Sequence, residues 1–188
     1  MAKKNRKANS LYQLKVTLIS SKPPIWRRLI VQDNIRLDQL HFVLQTAMGW
    51  SDYHLHQYRV GNDCIGIPEP DFDFDVKDER KVYLHDIISK PKDYVIYEYD
   101  FGDGWEHKIL LEKILPLDSF ESPIVIKGSQ ACPPEDCGGI WGYYDLLKAI
   151  QDPTHEEHES MLEWVGGEFD PDAFDMKAIN NNFKSLAF

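Results

Sequence analysis

Cysteine is scarce in this chain: Cys64, Cys132 and Cys137 are the full complement among 188 residues. Three thiols are too few, and of the wrong parity, for a disulfide framework, which excludes a cystine-stapled secreted scaffold and fits a reducing cytoplasm. Long apolar runs are missing too. No stretch approaches the roughly 18 residues that read as a bilayer span, so no membrane association is expected. The opening "MAKKNRKANS" lacks the apolar segment of a secretory signal. Positive charge is in deficit, with 21 Lys and Arg against 31 Asp and Glu and a net charge of -10. Such a body repels phosphate backbones, which disfavours nucleic acid as its partner. The exception is a basic flexible tail over residues 1–10, where Lys3, Lys4, Arg6 and Lys7 cluster. There is no G-x-S-x-G, Walker loop or dinucleotide fingerprint, which argues against nucleotide enzymes and serine hydrolases of those types. No internal repeat, heptad or low-complexity tract is found.

What is present is enough to build a core: 43% hydrophobic and 12% aromatic residues. The length predicts a single domain over residues 11–188. "LYQLKVTLIS" (11–20) alternates as a strand, and "IWRRLIV" (25–31) returns after Pro23 and Pro24. Adjacent Arg27 and Arg28 must face opposite ways, and the inward one is expected to pair with a carboxylate. Residues 37–48 put Leu37, Leu40, His41, Leu44 and Met48 at helical spacing before Gly49. Strands are expected at 53–61, 94–101, 105–115 and 123–131, with a strand running into a helical turn at 81–89. Cys64 to Glu79 reads as an acidic loop. Its "DFDFDVKDE" opens like a calcium loop, but Val76 and Val82 stand where glycine and glutamate are needed. The C-terminal part, 140–183, is helical. Thr154 and Glu157 fit a capping box, and Asp170-Pro171 fits the start of a last helix. Strands first and helices late predict an α+β fold with a mostly antiparallel sheet around a central hairpin at 94–115.

Asp103-Gly104 within "YEYDFGDGWEHKILLE" suits a two-residue type I′ turn. Pairing outward from it sets Asp100 opposite His107, Tyr99 opposite Lys108 and Tyr97 opposite Leu110. A carboxylate facing an imidazole orients the ring and tunes its proton affinity, as catalytic and metal sites require. The alternative is a cross-strand pair worth about 0.2–1 kcal/mol to the sheet.

"PPIWRRL", "GWSDYHLHQYRVG", "YDFGDGWEH", "ACPPEDCGG" followed by "GYYDLL", and "DPTHEEHESMLEWVGGEFDPDAFD" occur in order over residues 11–183. Together they resemble the plasmid pRiA4b ORF-3-like family. The resemblance implies one compact α+β domain, found on bacterial and archaeal plasmids and chromosomes, and it implies no reaction. Some relatives carry a transposon-resolvase label, yet no recombinase serine or tyrosine motif occurs here. The polar positions matching the family are His54, His56, Asp100, Asp103, His107, Cys132, Glu135 and Asp136. Cys137 departs from the pattern, since relatives often have an apolar residue there.

Candidate chemistry gathers on a few residues. "HLH" sets His54 and His56 on one side of a strand. With Asp100, His107 and Cys132 they form a candidate ligand set for a divalent ion such as zinc. Asp100, His107 and Glu135 are the acid–base candidates. The plainer readings are a buried thiol at Cys132 and helix-capping acids at Glu135 and Asp136. "HEEH" (155–158) has the wrong spacing for a zinc-protease helix and reads as a solvated face. With no complete catalytic constellation, the first functional expectation is a non-catalytic binding module with a protein or small-molecule partner, associated with a mobile element. The alternative is a small metal-assisted or acid–base enzyme. A third reading is nucleic-acid association through the tail.

Overall fold

The computed structural model describes residues 8–68, 76–121 and 123–186. The basic cluster Lys3–Lys7 and the D-x-D-x-D segment at 71–75 lie outside the described residues. The fold is α+β. Strands β1 (Leu11–Leu18), β2 (Trp26–Gln32), β3 (His56–Val60), β4 (Asp63–Gly66), β5 (Val76–Asp78), β6 (Tyr94–Tyr99), β7 (Trp105–Leu115) and β8 (Ile124–Ser129) form one sheet. Its order is β5-β4-β3-β6-β7-β1-β2-β8. Every pairing is antiparallel except β4 with β5. Among the described residues the helices are α1 (Leu37–Met48), α2 (Leu84–Ile87), α3 (Gly139–Gln151), α4 (His158–Trp164) and α5 (Met176–Phe183).

Alternation along the strands sorts side chains between two environments. Leu14, Val16, Leu29, Val31, Tyr58, Val95, Tyr97, Tyr99, Trp105, Ile109 and Leu111 are buried in one core with Leu37, Leu40, Val43, Leu44 and Ala47 of α1. Most residues between them are half-buried or exposed, Ile30 of β2 being a buried exception. Glu112 takes a bidentate bond from Arg28 (2.6 and 2.8 Å) and a third from Gln13 (2.7 Å). Arg59 pairs with Glu106 on the same side. Helix α1 has the predicted bounds because its apolar stripe is uninterrupted and Gly49, at φ 87°, accepts the left-handed geometry that ends it.

The arginine expectation is inverted. Arg27 is the inward residue, and among the described residues it pairs with no carboxylate. Its guanidinium donates to the backbone carbonyls of Ala47, Trp26 and Ser129 and lies 4.8 Å from the Phe174 ring centre. Carbonyl dipoles and a π face therefore solvate the buried cation. Burial still lowers its pKa, and the nearby Cys132 thiol partly opposes that.

Three local expectations fail for identifiable reasons. The 64–79 stretch contains most of β4, which continues the β3 hairpin, and all of β5. Thr154 does not cap a helix. Its N–H and Oγ–H both donate to Asp152 (2.9 and 2.7 Å), so the chain turns first and α4 begins at His158. Likewise Asp170 is spent on the Asp172 N–H, and α5 starts later, capped by Asp175 accepting from the Ala178 N–H. Nothing among the described residues forms a helix long and apolar enough to cross a membrane.

Candidate functional site

Three connecting segments meet at one end of the sheet: residues 49–55 between α1 and β3, the 100–104 turn between β6 and β7, and residues 130–138 before α3. Glu135 is the rivet. It accepts the Tyr99 O–H at 2.6 Å through one oxygen and the Ser51 N–H at 2.9 Å through the other. Tyr99 in turn receives the Tyr53 N–H at 3.0 Å. Trp50 donates its indole N–H to the Pro133 carbonyl (2.9 Å) and stacks on Tyr99, ring centres 5.1 Å apart. Pro133 and Pro134 restrict the backbone that presents these acceptors. The Gly138 N–H donates to Asp103 (3.1 Å), and a side chain on Gly139, at φ 67°, would run into the Asp103 carbonyl. Burial first, and Glu135 second, raise the Tyr99 phenol above its ordinary pKa, so it remains a donor.

The hairpin closes by a wider route than the two-residue turn. The Asp100 N–H goes to the Leu55 carbonyl (2.9 Å), and Asp100 takes φ 55°. Its Oδ1 accepts from the N–H groups of Gly102 and Asp103 (2.9 and 3.3 Å), and its carbonyl accepts from Gly104 (2.6 Å). This self-bonded aspartate turn ends β6 at Tyr99. The register becomes Tyr99 opposite Trp105, Glu98 opposite Glu106 and Tyr97 opposite His107. Asp100 is thus not the cross-strand neighbour of His107.

The predicted site residues therefore divide between environments. His107 is fully buried, its ring 5.2 Å from Trp50 and 5.6 Å from Tyr97. Its Nδ1–H donates to the Trp105 carbonyl (3.0 Å), while Nε2 has no aligned hydrogen-bond partner among the described residues. Burial brings its pKa down to about 4, so it is neutral near pH 7. Cys132 is half-buried and packs against the core near Arg27 and Tyr143. Burial pushes its thiol pKa well up, and that of Cys137 up to about 12. Neither sulfur is an activated thiolate. Among the described residues, His107 and Cys132 belong to no group of three potential ligands within reach of one ion. The proposed assembly of Asp100, His107 and Cys132 is not formed. His54 and His56 separate as well, because His54 precedes β3 and joins a different set from His56.

His56 stacks on His41, ring centres 3.6 Å apart and planes inclined by 9°. His56 Nε2 meets Glu79 at 2.8 Å. His41 Nε2 meets Asp52 at 2.7 Å, and its Nδ1 meets the Tyr97 hydroxyl at 2.8 Å. Burial lowers His41 to about 4, with His56 adding to the shift and Asp52 opposing it. Although His41, Asp52 and His56 lie close enough to share an ion, the stacking argues against it. Imidazole lone pairs lie in the ring plane, and two parallel stacked rings cannot both aim in-plane at one metal. Three of the four ring nitrogens are also already occupied. The stack is a structural element that joins α1 to β3.

The second set is His54, Asp100 and Asp136, one from each of the three segments. His54 Nε2 lies 3.1 Å from Asp136 Oδ1 and 3.7 Å from Asp100 Oδ2. That nitrogen is buried and has no aligned hydrogen-bond partner among the described residues. Asp100 is 10% exposed at its side chain and Asp136 66%, so the set opens to solvent on the Asp136 side. Tyr53, Leu55, Phe101 and Trp141, on or beside the same segments, are exposed. Asp136 and Glu135 are not helix caps: Gly138 holds the N-cap position of α3. His41, Asp52 and Glu79 were not singled out as chemistry in the sequence. The available signal was His41 itself, an ionisable residue in the apolar stripe of α1.

Comparison with known proteins agrees with the fold and supplies no reaction. "Uncharacterized protein y4hQ" from Sinorhizobium fredii is 40% identical over 181 residues, covering 95% of this chain and 93% of its own. The crystal structure titled "Protein of Unknown Function MM3350" from Methanosarcina mazei Go1 superposes with a TM-score of 0.83 at 38% identity. It covers 91% of this chain and 98% of its own. The model of the plasmid pRiA4b ORF-3-like proteins matches residues 10–178, and the chain belongs to that family.

Proposed function

We propose that this chain is a non-catalytic binding module that takes a positively charged ligand on the face built by residues 49–55, 100–104 and 130–138. One observation carries the reading. These segments hold Asp52, Asp100, Asp103, Glu135 and Asp136 and contain no lysine or arginine. Acids concentrated on one face, within a chain of net charge -10, produce a field that attracts cations. The backbone beneath is fixed before any ligand arrives, since Glu135, Tyr99, Trp50 and Asp103 tie the segments together. Pre-organisation of this kind lowers the ordering cost of binding. The exposed rings of Tyr53, Phe101 and Trp141 offer π faces to a lysine or arginine side chain. Groups that an acid–base enzyme would draw on, His107 and Cys132, are held neutral in packed surroundings.

The test is amide chemical-shift mapping with short peptides bearing lysine and arginine, alongside neutral and acidic counterparts. Saturable shifts confined to 49–55, 100–104 and 130–138, seen with the cationic peptides alone, support the reading. An unresponsive face, or shifts centred elsewhere, contradicts it. The enzyme reading is favoured by the imidazole lying between two carboxylates. It requires turnover of a model ester or phosphoester that Asp100→Asn abolishes.

A further inference from the structure

We propose that His54, Asp100 and Asp136 form a binding site for a divalent transition-metal ion at the centre of this face. The proposal rests on that face being the functional one and names the group at its middle. The donor set is one imidazole and two carboxylates, a combination that suits zinc, manganese or ferrous ions. The half-buried thiols of Cys132 and Cys137 take no part, which disfavours soft ions such as Cu(I). The imidazole disfavours calcium and magnesium, which prefer all-oxygen sites.

Geometry supports the assignment. An ion held at about 2.0–2.2 Å by neighbouring ligands places those ligand atoms about 2.8–3.6 Å apart, from octahedral to tetrahedral angles. His54 Nε2 is 3.1 Å from Asp136 Oδ1 and 3.7 Å from Asp100 Oδ2, and one donor atom from each of the three residues lies within 4.8 Å of the others. Closing the set needs adjustments of side-chain size, with no rearrangement of the backbone. Asp100 is already oriented, because the amides of Gly102 and Asp103 hold Oδ1 and leave Oδ2 towards His54. Such outer contacts fix a metal-ligating carboxylate. The buried His54 Nε2 lacks an aligned partner among the described residues, and a coordinated ion would supply one. Three protein ligands leave at least one position open on the Asp136 side. The exposed rings of Tyr53, Phe101 and Trp141 remain open to a partner around it.

The experiment is isothermal titration of the untagged full chain with zinc chloride and manganese chloride, with calcium and magnesium chlorides as controls. Saturable binding of one zinc or manganese ion per chain is expected, weakened at least ten-fold in both His54→Ala and Asp136→Ala. Asp136 is the safer variant for folding because its side chain is mostly exposed, and Asp136→Asn keeps its shape while removing charge. His155→Ala, a histidine on a different surface, should bind as wild type does. Absence of saturable binding, or variants that bind like wild type, overturns the metal site. If cationic peptides still shift the face when metal does not bind, the metal site alone fails. If neither binds, the proposed function fails with it.

Discussion

Acid should unfold this protein partly through His107, and replacing that one side chain should remove a defined share of the effect. The ring is fully buried, and its pKa falls from 6.5 to about 4. Charging it in the folded protein is therefore about 3 kcal/mol harder than in the unfolded chain. Above pH 6.5 the imidazole is neutral in both states and carries no penalty. As pH falls through 6.5 the unfolded chain takes up the proton first, so stability is lost progressively until about pH 4. Between pH 7 and pH 5 the loss from His107 is about 2 kcal/mol. His41, whose pKa burial also lowers, shifts stability in the same direction. His107→Phe keeps an aromatic of similar size among Trp50 and Tyr97 and forfeits the bond to the Trp105 carbonyl, costing about 1 kcal/mol at pH 7. Urea unfolding at both pH values is the assay. Wild type should lose about 2 kcal/mol more than the variant on acidification, equivalent to about 4–8 °C in melting temperature for a chain of this length. Equal losses in the two proteins would refute the reasoning, because they would mean that His107 takes up no extra proton on unfolding.

Glu135→Gln weakens the rivet between segments. It should cost about 1–3 kcal/mol and speed hydrogen exchange at the Ser51 and Tyr53 amides; unchanged protection there would show that Glu135 does not hold the loop. Gly139→Ala puts a Cβ against the Asp103 carbonyl at a left-handed φ, so it should cost at least about 1 kcal/mol by denaturant titration, and a neutral outcome would contradict the close approach of α3 to the 100–104 turn. Arg27→Met leaves the carbonyls of Ala47 and Ser129 without their donor. It should cost at least about 2 kcal/mol by the same assay, whereas a stable variant would mean that the buried cation does little for those carbonyls.

The elements with unbroken periodicity could be read directly from the chain. Helix α1 has its predicted bounds because Leu37, Leu40, Leu44 and Met48 keep one stripe up to Gly49, and β7 keeps strict alternation from Trp105 to Leu111. Turn chemistry was harder, since one residue can serve two competing local geometries. Asp103-Gly104 has the composition of a tight turn, but the Asp100 side chain captures the Gly102 and Asp103 amides and widens the loop. That local bond shifts His107 from opposite Asp100 to opposite Tyr97. The candidate site was half legible. His54 and Asp100 stood out by residue type, but their meeting with Asp136 depends on Glu135 joining segments more than 30 residues apart in sequence. No local pattern encodes that contact. Arg27 taught the same lesson: strand alternation places it inside, while only the packing reveals that carbonyls and an aromatic ring, with no carboxylate, receive it.

The most direct test of the three-segment face is anomalous diffraction from crystals of the full chain grown with zinc or manganese, recorded on both sides of the metal edge. A single anomalous peak about 2.0–2.2 Å from His54 Nε2, Asp100 Oδ2 and Asp136 Oδ1 is the predicted result. A peak between His41 and His56, or clean density with His54 turned away from both aspartates, would contradict it.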